Sequence, residues 1–319
     1  MAQPLPALGI DVGGGSAKIG VVSPAGEVLA ECAVTSDPGL SAPGLLDRYL
    51  EAARALQRAA GAGELAGIGI GLPGHIDAEA GTTRLCNVPA LNGFPVVEHL
   101  SARSGTSVWI ENDATLAALG EYRFGAGRGS ARFLTVTQGT GIGVGFIVGG
   151  RPVHTANGTM GDIGHAIVDP FGTRQCRQGC HGCLESVASA LAMQERHASV
   201  LRTGGAGVEG QPDLKELFRA AGTGDEACAA IIAEAARALA AAMASWLHLF
   251  APDTIALAGG VSAAGEDMLG PVRAVFTRLA MPDYLAKVSL VSAQLGKRAG
   301  LVGAAALCFS NTPHQRTDP

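Results

Sequence analysis

Charge is scarce in this sequence. Asp, Glu, Lys and Arg make up 16% of its 319 residues, with a balance of −5 at pH 7 and no run of Lys and Arg. A nucleic-acid surface needs cations clustered against phosphate, so that partner class is excluded. Residues 1–6 are polar and proline-rich, without a charged start followed by an apolar stretch, so no secretory signal is read. A long apolar run free of charge is also missing. The nearest approach is residues 227–250. Glu226, Glu234, Arg237 and His248 sit in or beside that run and alanine dominates it, so it reads as a buried helix and no membrane is implied. Seven cysteines are an odd count that suits no disulfide framework, and a reduced, cytoplasmic setting is expected. High aliphatic content allows a large core, and the length allows two domains of ordinary size.

The richest stretch is residues 161–185, GDIGHAIVDPFGTRQCRQGCHGCLE. Asp162 and His165 stand three apart, Cys176, Cys180 and Cys183 follow as C-x3-C-x2-C, and Glu185 closes the run. Thiolates this close in a glycine-rich loop can converge on one soft ion, with His165 as fourth ligand of a tetrahedral zinc. The alternative is a turn holding ordinary reduced cysteines.

Glycine punctuates the rest of the chain. ALGIDV reads as a strand running through Asp11 into Gly13, Gly14 and Gly15, and AKIGVV climbs back. Glycines after a strand let backbone N–H groups approach a phosphate, although a plain hairpin would look the same. About 125 residues later the pattern recurs: FLTVTQ, then Gly139-Thr140-Gly141, then a returning strand. The repetition suggests two halves, each opened by its own turn, with a nucleotide between them. Neither turn carries a Walker Gly-Lys-Ser/Thr ending or a strand–G-x-G-x-x-G–helix arrangement. A third turn, Gly259-Gly260, follows a strand at 253–257 and leaves room for a flat adenine or ribose ring.

Helices are read at 45–60, 95–104, 114–122, 184–200, 214–221, 225–249, 268–279 and 300–309, a short buried strand at 67–72, and strands at 107–110 and 288–291. Residues 77–94 read as a long loop, residues 203–210 as flexible, and the tail from 311 as disordered. Asp113 falls where a strand ends and a helix begins. It can cap the helix, or act as a general base at the carboxyl end of a strand, where α/β sheets bind ligands. Asn112 is the other candidate for the cap.

Together these residues resemble the ROK family of sugar kinases and related repressors. The matching pieces run in order through most of the chain: D-V-G-G-G-S-A-K at 11–18, G-L-P-G at 71–74, E-N-D-A at 111–114, G-T-G-I-G at 139–143, G-D-I-G-H at 161–165, G-C-H-G-C-L-E at 179–185 and A-G-G-V-S at 258–262. The resemblance implies an α/β, actin-like ATPase fold, a duplicated ribonuclease H-like pair of domains around a cleft. The expected division is 1–112 completed by a helix at 300–319, against 113–299. The implied activity is ATP- and Mg2+-dependent phosphorylation of a hexose, foremost glucose at its 6-hydroxyl, by a cytoplasmic homodimer.

By the same resemblance Asp113 is the catalytic base. Gly74, His75, Asn87, Asn112, Asp113 itself, Asp162, His165 and Glu185 are sugar contacts. Asp11, Gly13, Gly14, Gly15, Ser16, Lys18, Gly139, Thr140 and Gly141 form the phosphate loops, and Gly259 and Gly260 the adenosine loop. His165 with Cys176, Cys180 and Cys183 matches the family's zinc site. Three positions depart from the family pattern. Asp162 stands where Glu is usual, Gly15 where Thr is usual with Ser16 beside it, and Gln178 where a cysteine is usual, with Cys180 two residues later. Other readings are a kinase for another hexose or N-acetylhexosamine, a polyphosphate-dependent kinase, a sugar-sensing regulator, and an inactive binding module.

Overall fold

The computed structural model describes residues 4–156, 158–203 and 210–311. The chain forms two compact units. One holds the residues up to Gly129, Gly145–Gly161 and those from Lys297 onward, and the other holds Ser130–Val144 and Asp162–Gly296.

The first unit opens with β1 (Ala7–Val12), β2 (Ser16–Val22) and β3 (Val28–Thr35). Helix α1 (Ala42–Ala59) follows. Ser41 caps it by accepting the Gly44 N–H, and Leu45, Leu46, Tyr49, Leu50 and Ala53 form its buried face. Next come β4 (Ile68–Leu72), the small hairpin β5 (His75–Asp77) and β6 (Thr82–Arg84), α2 (Val96–Ser104), β7 (Val108–Asn112) and α3 (Asp113–Phe124). The sheet order is β3-β2-β1-β4-β7. β1 pairs antiparallel with β2, Asp11 opposite Lys18, and parallel with β4, which in turn runs parallel to β7 with Leu72 opposite Asn112. The carboxyl ends of β1, β4 and β7 therefore share one end of the sheet. β4 is buried along its whole length, as the continuous apolar run IGIGL requires of a central parallel strand.

A second five-stranded sheet repeats this order. It contains β8 (Arg132–Gln138), β9 (Ile142–Val148), β10 (Arg151–Pro152), β11 (Thr254–Ala258) and β12 (Ser289–Ser292), arranged β10-β9-β8-β11-β12. β11 is parallel to both neighbours. Between β10 and β11 lie α4 (Leu184–Ala188), α5 (Ala190–Thr203), α6 (Leu214–Gly222) and α7 (Glu226–Phe250); α8 (Glu266–Leu279) and α9 (Pro282–Leu285) follow β11. α7 has the length and composition to cross a membrane, but 61% of its most apolar window is buried inside the fold, as expected of a core helix. The closing helix, α10 (Ala299–Asn311), packs on α3 and β1 of the first unit. A Cβ at Gly303 would stand 1.8 Å from the Leu116 carbonyl, so glycine sets how closely the two helices approach.

That packing places α3 with the first unit, together with 145–161, whereas the reading from sequence divided the chain at 112/113. The helix read at 184–200 is two helices. Ser189 takes extended backbone at the break and its hydroxyl caps the second by accepting the Ala192 N–H. The loop read at 77–94 contains half of the β5–β6 hairpin and a 3-10 turn at Pro89–Leu91. Strands of three residues are too short to show a period. The expectations for 203–210 and for the tail fall almost wholly outside the described residues.

Candidate active site

In the first unit, Asp11 sits next to last in β1 and its carboxylate lies 3.7 Å from Lys18 Nζ. That ammonium also donates to the Lys297 carbonyl at 2.9 Å. Gly13 N–H donates to the Ser16 carbonyl at 2.9 Å, closing the turn that carries Gly14 and Gly15. Burial raises the pKa of Asp11, and Lys18 offsets part of the rise. A Cβ at Gly300, in the first turn of α10, would come within 2.6–2.9 Å of the Asp11 carboxyl, so only glycine leaves that acid its place. The Asn87 amide lies 3.4 Å from where Gly14 would carry a Cβ, so this sugar-contact candidate stands at the phosphate turn.

Asn112 ends β7 and caps α3, its Oδ1 accepting from Ala114 N (3.0 Å) and Thr115 N (3.2 Å). Its Nδ2 donates to the Gly74 carbonyl at 3.1 Å, beside His75 at the start of β5. The cap is thus made by Asn112, and Asp113 is not needed for it. Asp113 Oδ1 accepts one bond, from Ala114 N at 2.8 Å. Its pKa is pushed up to about 7, first by desolvation and then by the neighbouring charge of Asp11, while the backbone N–H groups of Ala114 and of Asp113 itself pull the other way. A carboxyl tuned near neutrality at the end of a parallel strand is suited to general-base work.

In the second unit, Gly139 N–H donates to the Gly141 carbonyl at 3.0 Å and leaves Thr140 exposed at the tip. Glu185, in the first turn of α4, accepts the Ile142 N–H through Oε2 at 3.1 Å. A Cβ on Gly141 would stand 2.4 Å from that oxygen, so the carboxylate lies directly against the glycine turn. The turn after β11 adjoins the same place: Gly259, at φ +94°, lies against the backbone of Gln138, and Gly260 borders open space. Asp162 is exposed in the 3-10 turn Gly161–His165.

His165, at the end of that turn, directs Nδ1 toward the three sulphurs. Cys180 Sγ is 3.5 Å away, Cys176 Sγ 3.6 Å and Cys183 Sγ 3.8 Å, and Cys176 and Cys180 are 3.5 Å apart. Ligands about 2.0–2.3 Å from one tetrahedral zinc are separated by about 3.5–3.8 Å, so the donor set fits that ion in kind and spacing. Cys180 joins this donor set although it lies two residues beyond the usual cysteine. The loop reaches this arrangement through a turn in which Cys176 N donates to the Cys180 carbonyl and Gly179 N to the Cys176 carbonyl.

Each unit thus assembles its own share of the expected residues. Two more belong to the first unit's site. Buried Glu111 accepts the Asn112 N–H through Oε1 at 2.7 Å, and His154 reaches Glu111 Oε2 at 2.7 Å. Glu111 appears in the E-N-D-A motif, but nothing in the sequence around His154 marks it. A cavity of about 480 Å³ in the second unit, lined by Arg174, Arg237, Arg278 and Glu234 among others, contains none of the expected site residues. Glu234 there already pairs with Arg174 and Arg196.

Comparison with known proteins is consistent with this geometry. The ROK family model matches residues 7–310, and the chain belongs to the ROK family. A glucokinase from Thermotoga maritima is 36% identical over 308 residues, 94% of this chain and 96% of the relative. A ROK hexokinase from Thermus thermophilus superposes with a TM-score of 0.82 at 32% identity, covering 96% of this chain and 98% of that one. A ROK glucokinase from Streptomyces griseus, solved with glucose and AMPPNP, gives 0.80 at 33% identity, covering 96% of this chain and all of that one.

Proposed function

We propose that this chain is a sugar kinase that transfers the terminal phosphoryl group of ATP to glucose at its 6-hydroxyl. The observation that carries the reading is Asp113, freed from capping by Asn112, with a pKa pushed up to about 7. The similarity to named glucokinases across nearly the whole chain supports it.

A sugar hydroxyl is a weak nucleophile at neutral pH. Asp113 aligns it and accepts its proton as the new O–P bond forms and the bond to the leaving ADP oxygen breaks. Asn112, held by Gly74, together with Asn87, His75, Asp162, His165 and Glu185, offers polar groups for the ring hydroxyls. The N–H groups of the Gly13–Gly15 and Gly139–Gly141 turns bind the phosphates, and the Gly259–Gly260 turn accommodates the adenosine. Asp11 is the residue to hold Mg2+, which when bound supplies positive charge to the phosphates. Cys176, Cys180, Cys183 and His165 hold a structural zinc that ties the loop between Asp162 and Glu185. The same reading has the chain cytoplasmic, in keeping with its free cysteines, and homodimeric.

A coupled ADP-release assay with Mg-ATP tests this against glucose, mannose, fructose, allose, glucosamine, N-acetylglucosamine and N-acetylmannosamine. Turnover on glucose above the rest is expected. Turnover on an N-acetylated sugar alone would move the substrate and implicate Asp162. Activity with polyphosphate but not ATP would overturn the donor.

A further inference from the structure

β7 is an edge strand of its sheet, so the backbone there is not held by a neighbour on both sides. At its last residue the support comes from a side chain: the Glu111 carboxylate accepts the Asn112 N–H at 2.7 Å. Glu111 is itself 5% exposed, and a carboxylate that deep requires a donor. His154 provides one through Nε2 at 2.7 Å. That bond raises the imidazole's pKa, burial taking back part of the rise.

The segment bearing His154 is braced on both sides. Val153 N donates to Phe146 O, Thr155 N to Thr159 O and Gly158 N to Thr155 O. Gly158 lies against the Ile76 carbonyl, next to His75. His154 therefore approaches Glu111 from a fixed base.

We infer that His154 is a positioning residue for phosphoryl transfer, acting through Glu111 to hold the Asn112–Asp113 strand-to-helix turn in its reactive geometry. The inference rests on the kinase reading above. Without His154, buried Glu111 loses its side-chain partner and is free to turn toward water, which loosens its grip on the Asn112 N–H. Asn112 then has fewer restraints while capping α3 and holding Gly74, and Asp113 is the next residue.

The test is steady-state kinetics on the full chain with Mg-ATP and glucose. In His154→Ala, kcat should fall about tenfold, the size of one charge-assisted hydrogen bond, with KM for Mg-ATP unchanged. His154→Gln should recover most of the loss, because its amide N–H can donate to Glu111. His154 is 40% exposed, so both variants should stay folded at the assay temperature, and a kcat loss with the folded fraction unchanged separates positioning from lost stability. Wild-type kcat in His154→Ala, equal impairment in His154→Gln, or a matching rise in KM for Mg-ATP would each overturn the inference. A wild-type chain silent on every sugar would overturn the kinase reading itself.

Discussion

The two five-stranded sheets share one strand order and differ in what stands at their strand ends. In the first, β1 ends on Asp11 and Val12, and β7 runs into Asn112 and Asp113. In the second, β8, the counterpart of β1, ends on Gln138 with Thr140 beyond it, β12, the counterpart of β7, ends on Ser292, and β11, the counterpart of β4, ends on Ala258 before two glycines. One topology therefore carries two kinds of site. Burial raises the pKa of both acids and Asp11 raises that of Asp113 further, which suits the proposed base and cation holder, whereas uncharged turns expose N–H groups that suit phosphate. The difference shows that a repeated fold gives equivalent places, and that the residue types placed there divide the labour.

The sharpest way to break this contrast is to remove the base. Asp113→Asn should lower kcat by about 10²–10⁴-fold, the usual contribution of a general base, while calorimetry finds glucose binding nearly unchanged. Retention of more than about a tenth of wild-type kcat would remove Asp113 from that role. The acid half should also impose a pH dependence. Since the folded-state pKa is about 7, the fraction of ionised base falls about tenfold per pH unit below that point, and kcat/KM for glucose should fall with it and level off above. For stability the sign reverses. A raised carboxyl pKa favours the folded state while protonated, at and below the unfolded value near 3.8, and that contribution is lost as pH rises through about 7. Asp113→Asn should accordingly melt higher relative to wild type at pH 8 than at pH 4.

The Cys/His loop proposed to hold zinc belongs to the second half and should matter through order rather than charge. Metal analysis should find about one zinc per chain, and Cys180→Ser should lose it and lower Tm by several degrees. Full zinc occupancy in Cys180→Ser would exclude Cys180 as a ligand. The smallest expected effect compares the turns directly. Gly141→Ala pushes a methyl into Glu185, whereas a Cβ at Gly15 meets no protein atom within 4 Å. Gly141→Ala should raise KM for both glucose and Mg-ATP and lower Tm, while Gly15→Ala should change KM for Mg-ATP alone with Tm unmoved.

Much of this was legible beforehand because the signals are local. Strands announced themselves as short apolar runs ending on glycine, and helices by their periodic faces, since each pattern follows from the backbone geometry of a few consecutive residues. The seven motifs in order identified the family, and the spacing of Cys176, Cys180 and Cys183 named a metal donor set. What escaped was set by distant parts of the chain. The unit boundary moved to 129/130 because α10 packs on α3, some 180 residues apart in sequence, through a contact that only Gly303 and its neighbours permit. The rival roles of Asp113 and Asn112 could not be separated from their order alone, because either side chain can reach the first N–H groups of α3, and the choice fell to the backbone angles at Asn112. His154 carried no local mark at all, since its partner Glu111 lies 43 residues earlier. The sequence by itself determined the residue types, the turns and the family. Only the tertiary structure decided which acid is buried, charged or near neutral, because desolvation and neighbouring charge depend on what the fold brings alongside each group.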